Sequence, residues 1–238
     1  MKRVVLQPAY ILHRRPYRES SFLVEMLTQE YGRITAVARG VRKAKQGALG
    51  LLQQFLPVSV SWTGNGDLVT LAQIEARASA FALQGECLYA GIYLNELLTC
   101  LLHKNDAHPA LFHLYENALN GLLQQPLQQK VLRSFEKNLL AELGYGILPA
   151  TQNALEPEKF YRFVPDQGFV QSDLGAHLQN KANIFAGKNL LAIAKEDWQN
   201  EESLQDAKRL MRLMLAPLLG ARQIYSRQLF MGIEIGQS

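Results

Sequence analysis

The chain is poor in cysteine: two in 238 residues, Cys87 and Cys100. That number excludes a disulfide framework, and a structural zinc site would need other ligands. Both fall in an apolar helical pattern, which reads as reduced core thiols. No window approaches the roughly 18–20 apolar residues of a membrane span. Lys2 and Arg3 are followed by no sustained apolar stretch, so a signal peptide is not expected, and the chain reads as soluble and cytoplasmic. The Gly-rich loop ending in Lys-Ser/Thr that cradles nucleotide phosphates is missing. Gly64-Asn65-Gly66 lacks the third glycine and the helix of a dinucleotide fingerprint and reads as a turn. His13, His103, His108, His113 and His177 form no His-Glu-x-x-His pattern. Ser20-Ser21 and Ser59/Ser61 have no nucleophile elbow around them. Asp166/Asp173 and Glu201/Glu202 lie in polar loops, where a solvated surface explains them. There are no internal repeats and no low-complexity tracts. These absences argue against an enzyme, and no cofactor is expected.

What is present is an uneven distribution of charge. Residues 1–80 carry 11 Lys and Arg against 5 Asp and Glu, residues 81–203 carry 9 against 14, and residues 204–238 carry 5 against 2. A basic front, an acidic middle and a basic tail suggest a polyanion-binding module joined to something else. The densest stretch runs from Ile34 to Lys45, where a β-branched run gives way to Arg39, Gly40, Arg42, Lys43 and Lys45 with no acidic residue between them. Such a loop beside a small sheet fits a phosphate-backbone surface better than a catalytic pocket.

The first eighty residues read as β. Strands are expected at Tyr10–His13, Phe22–Thr28, Ile34–Ala38, Pro57–Thr63 and Leu68–Ile74, with Arg14–Glu19 a loop broken by Pro16. Turns are expected at Gln29–Arg33 and Gly64–Asp67. Five short strands with a long basic connection between the third and fourth suggest a small closed barrel, of which the OB-fold is the commonest that binds nucleic acid. After residue 80 the period becomes helical. Cys87, Gly91, Leu94, Leu98 and Leu101 mark one helix, and Leu111, Leu114, Tyr115, Ala118 and Leu122 a second with Pro109 near its first turn. Leu127, Val131, Phe135, Leu139 and Leu143 mark a third that stops at Gly144-Tyr145-Gly146. A small hairpin is expected around Pro165-Asp166-Gln167. Ser203-Leu-Gln-Asp206 resembles a capping box opening a helix that Pro217 kinks or ends. The expectation is therefore an α+β multidomain chain: an N-terminal OB-fold β-barrel over 1–80, then an all-helical domain over 81–238, with 147–175 as an irregular hairpin insertion.

Two loops carry the nucleic-acid chemistry. Arg14, Arg15 and Arg18 surround Pro16-Tyr17, and Arg39, Arg42, Lys43 and Lys45 form the other, with Arg33 in the turn between. Cation-plus-aromatic loops hold single strands by phosphate pairing and base stacking; a solvated basic face is the alternative for each. Tyr17 and Tyr31 read as turn packing before stacking platforms, and Phe22, Phe55 and Trp62 as barrel core. In the tail, Lys208 and Arg212 share a helix face with Met211, Met214 and Leu215 nearby. They read either as a solvated face or as a site for an acidic peptide, with the apolar residues as its groove.

The ordered set Tyr10–His13, Arg18–Ser21, Thr28–Arg33, Val37–Arg42, Leu88–Leu98, Arg133–Glu136, Leu143–Gly146 and Ser226–Phe230 resembles the RecO family of bacterial recombination mediators. The resemblance implies an N-terminal OB-fold and a helical domain, and a non-catalytic protein that binds single- and double-stranded DNA and anneals complementary strands. It implies action with RecR, and in some systems RecF, to help RecA replace single-strand-binding protein, whose acidic C-terminal tail is engaged. Arg133, Lys208 and Arg212 are the cations expected to meet that tail. Many members carry a four-cysteine zinc module after the Leu-Gly-Tyr stop. Residues 147–175 here contain no cysteine, so zinc is not expected, and Phe160, Tyr161, Phe163 and Phe169 would hold the hairpin by packing. An RNA-binding OB module of ribosome assembly or translation, a nucleic-acid hydrolase or transferase, and a pure protein scaffold remain as other readings.

Overall fold

A computed structural model describes residues 3–41, 47–146, 155–165, 167–172 and 183–235. It separates into two compact units, Met1–Leu127 with Arg222–Ser238, and Gln128–Ala221. The first unit is built on a closed five-stranded barrel in the order β1-β2-β3-β5-β4, the OB-like arrangement. Its strands are β1 Arg3–Tyr17, β2 Ser21–Thr28, β3 Gly32–Ala38, β4 Pro57–Thr63 and β5 Val69–Ala76, with the short helix α1 Gly47–Leu51 between β3 and β4. Alternation places Val24, Met26, Ile34, Ala36, Val58, Val60 and Trp62 in one interior cluster.

β1 differs most from expectation. It is one 15-residue strand that takes in the supposed loop at Arg14–Tyr17. Its first part pairs with β4 over Arg3–Tyr10 and its second with β2 over Ala9–Tyr17. Register breaks at Val4/Gln7 and Ile11/His13 bend it so that a single strand serves two neighbours and closes the barrel. Pro16 is tolerated because β1 has left β4 by that point, so its missing N–H faces an unpaired edge. Closure on the other side is thin: β3 and β5 run parallel and pair only at Ala36↔Val69 and Val37↔Thr70.

Helices α2 Gly85–Leu101 and α3 Pro109–Gly121 pack in the same unit. Their buried faces follow the expected spacing, with Cys87, Gly91, Leu94, Leu98 and Leu101 inward on α2. A polar network ties them to β1. The Asn95 amide donates to the Leu12 carbonyl at 3.2 Å and accepts from the Tyr115 hydroxyl at 2.5 Å. The Tyr10 hydroxyl donates to Glu116 at 2.7 Å, and burial with this carboxylate partner pushes the phenol far up. Phe55 is buried beside Gly91 of α2 and not within the barrel cluster where it was expected.

The second unit holds α4 Gln129–Glu142, the sheet β7-β6-β8 (β6 Phe160–Val164, β7 Gly168–Ser172, β8 Ile184–Ala186), α5 Gly187–Lys195 and α6 Glu201–Leu219. β6 and β7 pair antiparallel from Phe160↔Ser172 to Val164↔Gly168; Asp166, in the expected turn, lies outside the described residues. The pair gains a third strand, β8, which lies beyond the expected 147–175 and packs Phe185 near Phe169, with centroids 6.4 Å apart. The capping-box reading at Ser203–Asp206 is corrected: the N-cap of α6 lies three residues earlier, at Asn200, whose side chain accepts from the Glu202 N–H at 2.9 Å. Ser203 is buried inside the first turn, and Asp206 binds Asn189 and Arg209. Pro217 sits in the last turn, and the helix ends two residues later, before Gly220 in the left-handed region. A final helix, α7 Ser226–Ile235, returns to the first unit. Among the described residues no helix is long and apolar enough to cross a membrane.

Candidate nucleic-acid interface

The barrel gathers residues that lie far apart in sequence into one groove. The β1–β2 turn supplies Tyr17–Ser21, the end of β3 supplies Val37, Arg39 and Gly40, and the start of β5 supplies Leu68–Thr70, around a volume of about 780 Å³. The parallel pairing Val37↔Thr70 brings the last two together across 32 intervening residues.

Each cation is positioned by local chemistry. Arg18 holds the left-handed turn position at φ 53°, and its guanidinium lies 5.3 Å from the centre of the Tyr17 ring. This cation–π contact leaves the charge exposed on the groove wall. Arg39 is exposed at the end of β3, where one of its N–H groups donates to the Thr70 hydroxyl at 3.4 Å. Gly40, with φ 72°, turns the chain away immediately afterwards. The floor is apolar: Val37 and Val69 are buried, and Leu68 stands 47% exposed at the rim. Glu19 shares the wall, so the groove is basic but not uniformly so. Two guanidinium groups over an apolar floor can pair phosphates and leave room for base faces.

The remaining expected residues fall elsewhere. Arg15 is exposed on β1, outside the groove lining. Arg14 is half-buried, donating to the Leu49 carbonyl at 3.0 Å and lying 5.4 Å from the Phe22 ring centre. Arg33 is a latch: it donates to the Leu102 carbonyl and pairs with Glu25, both at 3.0 Å, with 14% of its side chain exposed. Arg42, Lys43 and Lys45 lie outside the described residues. Thr70, Leu68 and Ser21 line the groove without having been singled out, because neutral residues carry no charge signal and only pairing of distant strands brings them together.

The three cations expected to meet an acidic tail differ in exposure within the second unit. Lys208 and Arg212 are exposed one turn apart on α6. Arg133 is 5% exposed and paired with the buried Glu136 at 2.9 Å, so it presents almost no surface to a partner. Met211, Met214 and Leu215 do not form an open groove; α6 buries that face within its own unit. Nearby, burial pushes the Glu196 carboxyl up, but hydrogen bonds from Ser134, Lys137 and Asn138, with the Lys137 charge, outweigh it and hold its pKa below the ordinary value. Among the described residues no group of three His, Cys, Asp or Glu side chains is placed to hold a metal ion.

Comparison with known proteins supplies the remaining finding. The family described as "Recombination protein O N terminal" matches residues 1–80, and "Recombination protein O C terminal" matches residues 83–228. A "DNA repair protein RecO" of Coxiella burnetii is 43% identical over 233 residues, covering 96% of this chain and 98% of that protein. Proteins of the same name from Nitrosococcus oceani and Glaesserella parasuis are 44% and 40% identical, each covering 95% of this chain and 93% and 95% of their own length. Two family matches that together span nearly the whole chain, on an OB-like barrel with a basic groove, make this chain a member of the RecO family of DNA repair proteins.

Proposed function

We propose that the chain is a non-catalytic recombination mediator that binds single- and double-stranded DNA, anneals complementary strands and, with RecR, helps RecA load onto DNA coated by single-strand-binding protein. The observation that carries the reading is the convergence of Arg18 and Arg39 on one apolar-floored groove of the barrel. Arg42, Lys43 and Lys45 follow directly in sequence and extend the basic run. Phosphate contacts of this kind give affinity without sequence choice. Annealing then needs no active site: the protein neutralises both strands and leaves the bases free to pair. With about four to six phosphates neutralised, log affinity for single strands falls against log salt with a slope of about −3 to −4.

The acidic tail of single-strand-binding protein is assigned, in this reading, to Lys208 and Arg212, both exposed on α6. Unchanged tail-peptide affinity in both Lys208→Ala and Arg212→Ala would remove that assignment. The central test is annealing of complementary labelled oligonucleotides coated with single-strand-binding protein. Wild type is expected to accelerate it, and a variant reversing Arg18, Arg39, Arg42 and Lys43 is expected to lose the acceleration while keeping its circular dichroism. No acceleration by wild type would overturn the mediator reading.

A further inference from the structure

One residue of the basic groove opposes the charge that the others supply. Glu19 lines the same recess as Arg18 and Arg39. It is the middle residue of the three-residue turn at 18–20, which the Tyr17↔Ser21 pair closes. A loop this short, tied at both ends, has little freedom to carry its central residue away. The Phe22↔Ala38 pair holds the end of β3, and with it Arg39, beside that turn. Glu19 is exposed, and among the described residues no cation forms an ion pair with it. The Arg18 guanidinium lies toward the Tyr17 ring, 5.3 Å from its centre. The groove wall therefore carries a negative charge, held in no ion pair, beside two positive ones.

A repelling charge in such a groove treats flexible and rigid strands differently. A single strand can turn its phosphates toward the two guanidinium groups and away from the carboxylate. A duplex cannot: it is stiff over about 150 base pairs, and its phosphates stand at fixed spacing, one per ~1.7 Å of axis with both strands counted. The recess, of about 780 Å³, is comparable in width with the screening length of about 8–10 Å at physiological salt. A phosphate seated in it therefore feels Glu19.

We infer that Glu19 is a specificity-determining residue of the groove, whose charge weakens the hold on duplex more than on single strands. The inference rests on the DNA-binding and annealing reading above and deepens it. Annealing consumes two single strands and yields a duplex. A groove that grips the product less than the substrates releases it and can act again. The two arginines supply affinity, and Glu19 limits how much of it survives pairing.

The test measures dissociation constants by fluorescence anisotropy at low salt, for a labelled single strand and a duplex of the same length. Wild type is compared with Glu19→Gln and Glu75→Gln. Glu75 is exposed on β5 outside the groove, so its variant makes the same change of net charge on the same barrel. Glu19→Gln is expected to tighten duplex binding about fivefold and single-strand binding about twofold or less, both gains shrinking as salt rises. Glu75→Gln is expected to leave both affinities within about 1.5-fold of wild type. In annealing with DNA in excess over protein, Glu19→Gln is expected to match wild type in the first round and fall behind in later ones. Equal tightening of both forms, no tightening of duplex, or the same gain in Glu75→Gln would overturn the assignment while leaving DNA binding by the groove intact, as would later rounds that keep pace with wild type. Failure of wild type to bind either form at low salt would instead overturn the DNA-binding reading, and the role of Glu19 with it.

Discussion

Glu96 on α2 caps a helix that starts 130 residues later. Its carboxylate accepts from the Tyr225 N–H at 2.8 Å, the Ser226 N–H at 2.9 Å and the Ser226 hydroxyl at 2.6 Å. These donors include the otherwise unpaired amides at the start of α7. A helix of ten residues is marginal on its own in water and depends on such contacts. Losing a cap costs about 1 kcal/mol, and losing a negative charge at a helix N-terminus about 0.3–1 kcal/mol more. Glu96→Ala should therefore destabilise the docked helix by roughly 2 kcal/mol. The other contacts are modest: Tyr89 against Phe230 at 6.0 Å and Arg227 over Tyr93 at 5.7 Å. The loss should appear as local opening of α7 and not as global unfolding. Amide hydrogen exchange within α7 should accelerate about 30-fold, at 1.36 kcal/mol per tenfold, with barrel amides unchanged. Glu96→Gln, which keeps an acceptor but loses the charge, should fall between. Exchange in α7 within about threefold of wild type, or equal acceleration in the barrel, would refute the capping argument.

Other perturbations follow from the same structure. Gly32 has φ 65°, and a Cβ there would stand 1.6 Å from the Asp106 carbonyl oxygen. Gly32→Ala should cost about 3 kcal/mol, from left-handed strain and displacement of the segment whose Asn105 N–H bonds the Arg33 carbonyl. Urea unfolding followed at Trp62 in the Trp198→Phe background would measure it, and a loss under about 1 kcal/mol would contradict the contact. Asn95→Ala leaves the buried Tyr115 hydroxyl without its acceptor, while the Leu12 carbonyl keeps the Gln54 amide; the same assay should show a loss of about 1–3 kcal/mol. Glu196 has a folded pKa below its ordinary 4.5, so its contribution is fully present above that value and is lost as pH falls through the folded pKa. The stability gap between wild type and Glu196→Gln should be constant near neutrality and shrink only in acid. A gap unchanged down to about pH 2 would contradict the depressed pKa.

Much of the architecture is legible along the chain because it depends on near neighbours. Period-two alternation marked β4 at Pro57–Thr63, period 3.6 marked the buried face of α2, and glycine marked the turn at Gly32. The ordered motifs identified the family. Local signals failed where a distant partner decided the outcome. Arg14 and Pro16 read as loop until β2 paired with them, and β8 is too short to show a period before β6 accepts it.

The same division holds for the candidate site. The sequence by itself determined that the basic residues cluster at the front of the chain, since charge is a property of composition. Only the tertiary structure decided which of them face a groove. Arg18 and Arg39 line one groove because β2 pairs with β3 as far as Phe22↔Ala38, which sets the end of β3 beside the β1–β2 turn, while Arg33 is spent on Glu25 and Leu102, and Arg133 on Glu136. A side chain's charge is written in one residue, but its exposure and its partners are set by segments many residues away, through packing that no local pattern encodes.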